Sequence, residues 1–218
     1  MPKRKIILDC DPGHDDAIAM LLAWNNPALD LVGITVSTGN QTLKKTQKNA
    51  LDICEYLGID VPVAPGCPRP LVRDLQIAPD IHGESGLDGV TFEDPEKTFD
   101  PRHGVDFMIE TLLESPEPIT MVTTGPMTNL AMALRKEPRI MDSIEEVVLM
   151  GGSYGYGNVS PAAEFNILVA PEAAHIVFNS GLKVTMVGLD ATRQVLVLPE
   201  VVDRMEKIQN KASDFFVK

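Results

Sequence analysis

The chain has few cysteines, a shortage of basic residues and no long apolar run, and each scarcity excludes something. Three cysteines, Cys10, Cys54 and Cys67, are an odd number without metal-ligand spacing, which argues against a disulfide scaffold and for a reduced, cytoplasmic setting. Nineteen Lys and Arg against thirty-one Asp and Glu give a net charge of −12. Nucleic acid and anionic membrane both need a basic face, so neither is an expected partner, and a small molecule of low negative charge is. The basic clusters Lys3-Arg4-Lys5 and Lys44-Lys45-Lys48 read as solvated surface. No apolar run approaches the roughly 18 residues of a membrane span. The basic start leads straight into a short strand rather than a signal-peptide core, and there is no internal repeat, low-complexity tract or linker. What is left is a soluble globular composition, 44% hydrophobic and 23% charged, expected to form one domain over 1–218.

Apolar runs and helical patterns alternate along the chain. Strands are expected at Lys5–Leu8, Leu29–Val36, Val61–Ala64, Ile119–Thr123, Glu145–Met150 and Leu182–Val187. Helices are expected from Ala17, over Thr42–Leu57, Gly104–Leu113, Thr128–Arg135 and Pro171–Asn179, and as a last charged helix over Pro199–Gln209. Strands separated by helices predict an α/β fold: a doubly wound, mostly parallel sheet with helices on both faces and its site at the carboxyl edge of the strands. The segments Gly66–Arg102 and Gly151–Ala170 are too long to be simple connections, and loops of that length are commonly functional.

The densest signal is Asp9-Cys10-Asp11-Pro12-Gly13-His14-Asp15-Asp16, four carboxylates where the first strand ends and a helix begins. A helix N-terminus favours one negative charge, yet four crowded carboxylates repel one another, and a hard cation with oxygen ligands, calcium or magnesium, neutralises them. The plainer reading is capping, with Asp15 or Asp16 ending the helix and Asp9 bonded in the turn. A third reading takes Asp9 as nucleophile of a phosphoryl-transfer loop with Asp11 two residues on, although Pro12-Gly13 departs from that pattern. Cys10 points away from Asp9 and reads as packing.

Other polar groups fall just past expected strand ends. These are Gly39-Asn40, Thr123-Thr124-Gly125-Pro126-Met127-Thr128-Asn129, where a main-chain carbonyl would suit a hard cation, and Gly151-Gly152. In Ala163-Glu164-Phe165-Asn166-Ile167 the acid and amide would share one side of an extended backbone, as acceptor and donor for sugar hydroxyls. His82, in a Gly-rich loop, is the residue type that donates protons near neutral pH. Tyr154 and Tyr156 fit packing or base stacking equally.

Taken together, Asp9 to Asp16, Gly39-Asn40, Thr124-Gly125-Pro126-Met127-Thr128-Asn129-Leu130, Val148-Leu149-Met150-Gly151-Gly152 and Asn158 through Glu164-Phe165-Asn166 resemble, in order, the nucleoside hydrolase family of inosine-uridine preferring ribohydrolases. The resemblance covers essentially the whole chain. The loop His82-Gly83-Glu84-Ser85-Gly86-Leu87-Asp88-Gly89 is similar to that of bacterial members that prefer pyrimidine nucleosides. The resemblance implies Ca²⁺-dependent cleavage of the N-glycosidic bond of a ribonucleoside (uridine, cytidine or inosine), a role in nucleoside catabolism, and a homotetramer or dimer. It assigns Asp11, Asp16 and the Thr124 carbonyl to the metal, and Asp11 also to water activation as base. Asp15, Asn40, Asn158, Glu164 and Asn166 would hold the ribose, with Met150 packed near them and His82 beside the base as proton donor. Asn166 and Glu164 would also stabilise the positive ring of an oxocarbenium-like transition state.

The resemblance also implies a His-Asp pair in the final third of such enzymes, and no Asp after Asp190 has a His beside it. The domain is therefore expected to be C-terminally incomplete. The alternatives to an active hydrolase are a calcium- and ribose-binding fragment with impaired turnover and an Asp-nucleophile phosphatase.

Overall fold

A computed structural model describes residues 2–217. In chain order it contains β1 (Arg4–Cys10), α1 (His14–Asn25), β2 (Leu29–Val36), α2 (Leu43–Leu57), β3 (Val63–Pro65), α3 (Pro79–His82), α4 (Gly104–Glu114), β4 (Ile119–Thr123) and α5 (Thr128–Lys136). A 3-10 turn (Pro138–Ser143) then leads to β5 (Ile144–Met150), α6 (Phe165–Val169), α7 (Pro171–Phe178), β6 (Val184–Val187), α8 (Leu189–Thr192), α9 (Pro199–Glu206) and α10 (Lys211–Phe216).

The six strands form one sheet in the order β3-β2-β1-β4-β5-β6, and every pair is parallel. Parallel strands need covered crossovers, and period-2 alternation on β1 shows both covers. Ile6, Leu8 and Cys10 pack with Met20 of α1 and Ile53 of α2, whereas Ile7 packs with Met108 of α4 and Leu130 of α5. Cys10 is thus a packing residue. Burial of each such aliphatic side chain contributes on the order of 1.5–3 kcal/mol. Successive strands move outward from β1 to β2 and β3, then return to β4 on its other side. The chain reverses its winding between β1 and β4, and ligands of doubly wound sheets sit outside the strand ends at such a switch point.

Three local expectations are corrected. Glu164 and Asn166 do not share an extended segment: Phe165–Val169 is helical, because the Glu164 carboxylate accepts from the Asn166 and Ile167 N–H groups and caps the turn. The final helix stops at Glu206, Gln209 takes a positive φ of 54°, and a separate α10 starts after Asn210, whose side chain caps it. The long segment after β3 contains α3, a single turn with His82 at its end.

Candidate active site

Asp11 lies one residue beyond β1 and Asp16 in the first turn of α1, both 1% exposed. Asn40, past the end of β2, joins them. Its main-chain N–H donates to Asp11 Oδ2 at 2.6 Å, and its Nδ2 donates to Asp16 Oδ2 at 3.3 Å and to the Asp11 carbonyl at 3.0 Å. Both amide hydrogens are thereby used, which leaves Asn40 Oδ1 to accept from a hydroxyl. Asp16 also accepts the Gly13 N–H at 3.1 Å. The N-cap of α1 is Gly13 rather than Asp15 or Asp16, and Asp16 bonds back to it from the first turn while its other oxygen faces the strand ends. The glycines of two motifs make room for Asp11. A Cβ at Gly39 would stand 2.1 Å from Oδ2, and one at Gly125 would stand 2.3 Å from Oδ1.

Among the described residues no lysine or arginine pairs with either carboxylate. Burial pushes the Asp11 carboxyl well above the usual range, and the charge of Asp16 pushes it further. Burial likewise raises Asp16 to about 7, with Asp15 adding to the shift. Two buried, mutually repelling oxygen ligands without a counter-charge are the donor set a hard cation fits. Among the described residues no three His, Cys, Asp or Glu side chains converge as a closed metal cluster.

Thr124 lies one residue past β4 and brings a hydroxyl and a main-chain carbonyl to the strand ends. Its Oγ1 donates to Asp16 Oδ1 at 2.6 Å, and its carbonyl accepts from Asn166 Nδ2 at 2.8 Å. Asn166 Nδ2 is also 3.2 Å from the Met150 carbonyl at the end of β5, so one amide bridges two strand ends. Glu164, 3% exposed, accepts from the N–H groups of Gly152, Asn166 and Ile167. A carboxylate has about four lone-pair sites, so one remains for a ligand. Asn158 is exposed and accepts the Phe165 N–H at 3.0 Å.

Asp11, Asp15, Asn40, His82, Thr124, Met150, Asn158, Glu164 and Asn166 all line one cavity of about 430 Å³, the size of a small-molecule site. Asp16 lies beneath it, bonded to Thr124 and Asn40. Asp15 is exposed at the rim. His82 is half-buried, its Nδ1 has no hydrogen-bond partner among the described residues, and burial lowers its pKa below the ordinary histidine value, with Asp15 opposing and His14 assisting. The His14 ring stacks on it at 5.8 Å, and His14 Nε2 is 3.0 Å from the Asp88 carbonyl.

Asp9 is not in the cavity. It is 1% exposed on β1 between Thr35 and Thr123, and its Oδ1 accepts from Thr35 Oγ1 and Asn129 Nδ2, each at 2.8 Å. A carboxylate held this way cannot reach a phosphorus atom, and its place is in support of the turn. Thr35, which the sequence did not single out, is legible only through the strand register, and Asn129, which stood in the Thr123–Asn129 segment, reaches Asp9 from the first turn of α5. Tyr154 and Tyr156 are both exposed, 96% and 76%, so neither is a core packing residue, and Asp190 and Arg193 fasten their loop. Lys45, read as solvated surface, bonds the Glu84 carbonyl.

Comparison with known proteins gives one answer. The family model described as inosine-uridine preferring nucleoside hydrolase matches residues 6–218. The pyrimidine-specific ribonucleoside hydrolase RihB of Escherichia coli (strain SMS-3-5 / SECEC) is 52% identical over 216 residues, which cover 99% of this chain and 69% of that protein. Among solved structures, the purine-preferring ribonucleoside hydrolase from Gardnerella vaginalis superposes with a TM-score of 0.93 at 37% identity, over 98% of this chain and 70% of that one. The plant nucleoside hydrolase PpNRh1 does so with a TM-score of 0.92 at 34% identity, over 99% and 69%.

Proposed function

This chain belongs to the inosine-uridine preferring nucleoside hydrolase family, and from that premise we propose that it hydrolyses the N-glycosidic bond of ribonucleosides in a Ca²⁺-dependent reaction, with uridine and cytidine ahead of inosine. The observation that carries this reading is the meeting of Asp11, Thr124, Asn166 and His82 around one cavity at the switch point of the sheet. The 52% identity to a pyrimidine-specific relative supports the base preference. The proposed unit is the single α/β domain, and a homo-oligomer is its proposed assembly.

Asp11, Asp16 and the Thr124 carbonyl would hold Ca²⁺, which supplies positive charge that returns the raised Asp carboxyls to their ionised forms and acidifies nearby water and hydroxyls. Asp11 then acts as the base that takes a proton from the attacking water. Asn40 Oδ1, Asp15, Asn158 and Glu164 take the ribose hydroxyls, and Met150 packs near them. The free Oδ1 of Asn166, whose Nδ2 is fixed by two carbonyls, stabilises positive charge on the sugar ring. His82 gives a proton to the departing base. Burial makes its imidazolium, once formed, a stronger donor.

The test is ribose release from uridine, cytidine and inosine by the purified chain, with Ca²⁺ and with EDTA. Release from at least one nucleoside, lost in EDTA and restored by Ca²⁺, is expected. No release from any of the three in Ca²⁺ would remove the catalytic reading for this chain. A second reading rests on the absence, among the described residues, of a third carboxylate converging with Asp11 and Asp16 as a closed cluster: binding of calcium and ribose without turnover, seen as heat of binding but no product.

A further inference from the structure

Asn49 lies on α2, outside the cavity lining, and is 5% exposed. Its Nδ2 donates to the Pro12 carbonyl at 3.1 Å and to the Ser85 carbonyl at 3.0 Å, so both amide hydrogens are used. The orientation of the amide is fixed, because a flipped one would set its oxygen against two carbonyl oxygens. Pro12 belongs to the turn that carries Asp11 and Asp16. Ser85 belongs to the loop that follows His82. One buried side chain thus fastens the base-bearing turn to the acid-bearing loop.

The two loops also touch directly. A Cβ at Gly13 would stand 2.6 Å from His82 Nδ1, so the imidazole lies on the main chain of the aspartate turn and has no room to drift toward it. The same stretch of chain holds two more carbonyls of the His82 loop. Gln41 Nε2 donates to the Gly83 carbonyl at 3.0 Å, and Lys45 Nζ to that of Glu84. Gln41, Lys45 and Asn49 therefore grip three successive carbonyls, but of these contacts only that of Asn49 continues into the turn of Asp11.

We infer that Asn49 is a positioning residue for the hydrolysis, setting His82 relative to Asp11 so that proton donation to the leaving base and activation of water act on one bound nucleoside. The inference rests on the donor role given to His82 above. It goes beyond structural support because it predicts a substrate-dependent effect. A leaving base needs its proton, whereas nitrophenolate departs as a stable anion.

The test compares uridine with p-nitrophenyl β-D-riboside in wild type, Asn49→Leu and His82→Ala. Asn49→Leu keeps the volume and removes both donors. It is expected to lower kcat on uridine by about 10- to 100-fold and on the nitrophenyl riboside by less than about threefold, the same pattern as His82→Ala. Equal losses on both substrates by Asn49→Leu, or no loss on uridine, overturn the inference while His82→Ala still separates the two. If His82→Ala fails to separate them, the donor reading is wrong and the inference falls with it. Hydrogen–deuterium exchange on the whole chain gives a readout independent of turnover. In Asn49→Leu, and in the milder Asn49→Ala should the first not fold, amides of residues 82–89 are expected to exchange faster while those of 119–123 stay protected. Wild-type exchange at 82–89 in the folded variant overturns the inference.

Discussion

Thr124 Oγ1 donates to Asp16 Oδ1 at 2.6 Å and thereby ties the end of β4 to the first turn of α1 across the switch point of the sheet. Removing a group that orients a metal ligand commonly costs 10- to 100-fold in affinity. Thr124→Val keeps the carbonyl and the volume and deletes only this donor. Calcium is expected to bind about 10- to 100-fold more weakly by calorimetric titration, and the fold to lose about 1–3 kcal/mol through the unsatisfied buried carboxylate. Unchanged calcium affinity would show that the hydroxyl does not orient Asp16.

The carboxyls of Asp9 and Asp16 are each pushed up to about 7, by burial before anything else. The folded state therefore binds their protons more tightly than the unfolded chain, where a carboxyl titrates near about 3.9. That stabilisation is complete below the ordinary carboxylate range and is lost as pH rises through about 7. In EDTA the melting temperature is expected to fall between about pH 4.5 and 7.5, and calcium is expected to flatten the decline by replacing the proton's charge. Glu137, held down to about 2 by Arg139, adds stability with rising pH only up to the ordinary glutamate range at the foot of this window. His82, lowered by burial, works against the decline as one group against the two aspartates. Melts in EDTA that rise across the window would sink the prediction.

Fold and site were legible to different depths for physical reasons. Strands such as Leu29–Val36 and Ile119–Thr123 were read to the residue because buried parallel strands are short apolar runs bounded by polar breaks. The one-turn α3 and α6 were not, since neither is long enough to show a period and α6 exists because Glu164 caps it. Alternation suggested that Glu164 and Asn166 would share a face. They do line one cavity, but from a capped helix rather than a strand. The meeting of Asp11, Asp16 and Thr124 was legible because Asp11 and Thr124 fall just past strand ends and Asp16 in the helical turn that follows Asp11. Thr35, Asn49 and the bond from Asn129 to Asp9 were not, because these partners lie far off in sequence and ordinary residue types carry no local signal.

Glu164 combines two roles that one substitution separates from simple charge loss. Its carboxylate accepts three main-chain N–H groups and caps α6 while it lines the cavity. Glu164→Gln keeps the shape but replaces one acceptor oxygen with a donor that faces those N–H groups. A stability loss of about 1–3 kcal/mol is expected from urea unfolding, together with a raised KM for the nucleoside. A variant as stable as wild type would mean that the cap is not needed to hold α6.

Close approach of main chain to Asp11 yields the sharpest contrast between two glycines. A methyl group at Gly39 would stand 2.1 Å from Asp11 Oδ2 and 2.7 Å from Pro126 Cδ, so Gly39→Ala must displace the carboxylate or the turn. Gly58, in the left-handed conformation with φ of 70° after α2, has nothing within 4 Å of the same methyl position. Gly58→Ala is therefore expected to cost about 1–2 kcal/mol of stability through backbone strain alone, with the rate of ribose release and the calcium affinity unchanged. Gly39→Ala is expected to lower ribose release by about 100-fold or more, as misplacement of a reacting group does, and to weaken calcium binding with it. Measured side by side in steady-state assays and thermal melts, the pair separates damage to the Asp11 site from damage to the fold. Loss of activity in Gly58→Ala, or its retention in Gly39→Ala, would contradict the placement of Asp11 at the centre of the chemistry.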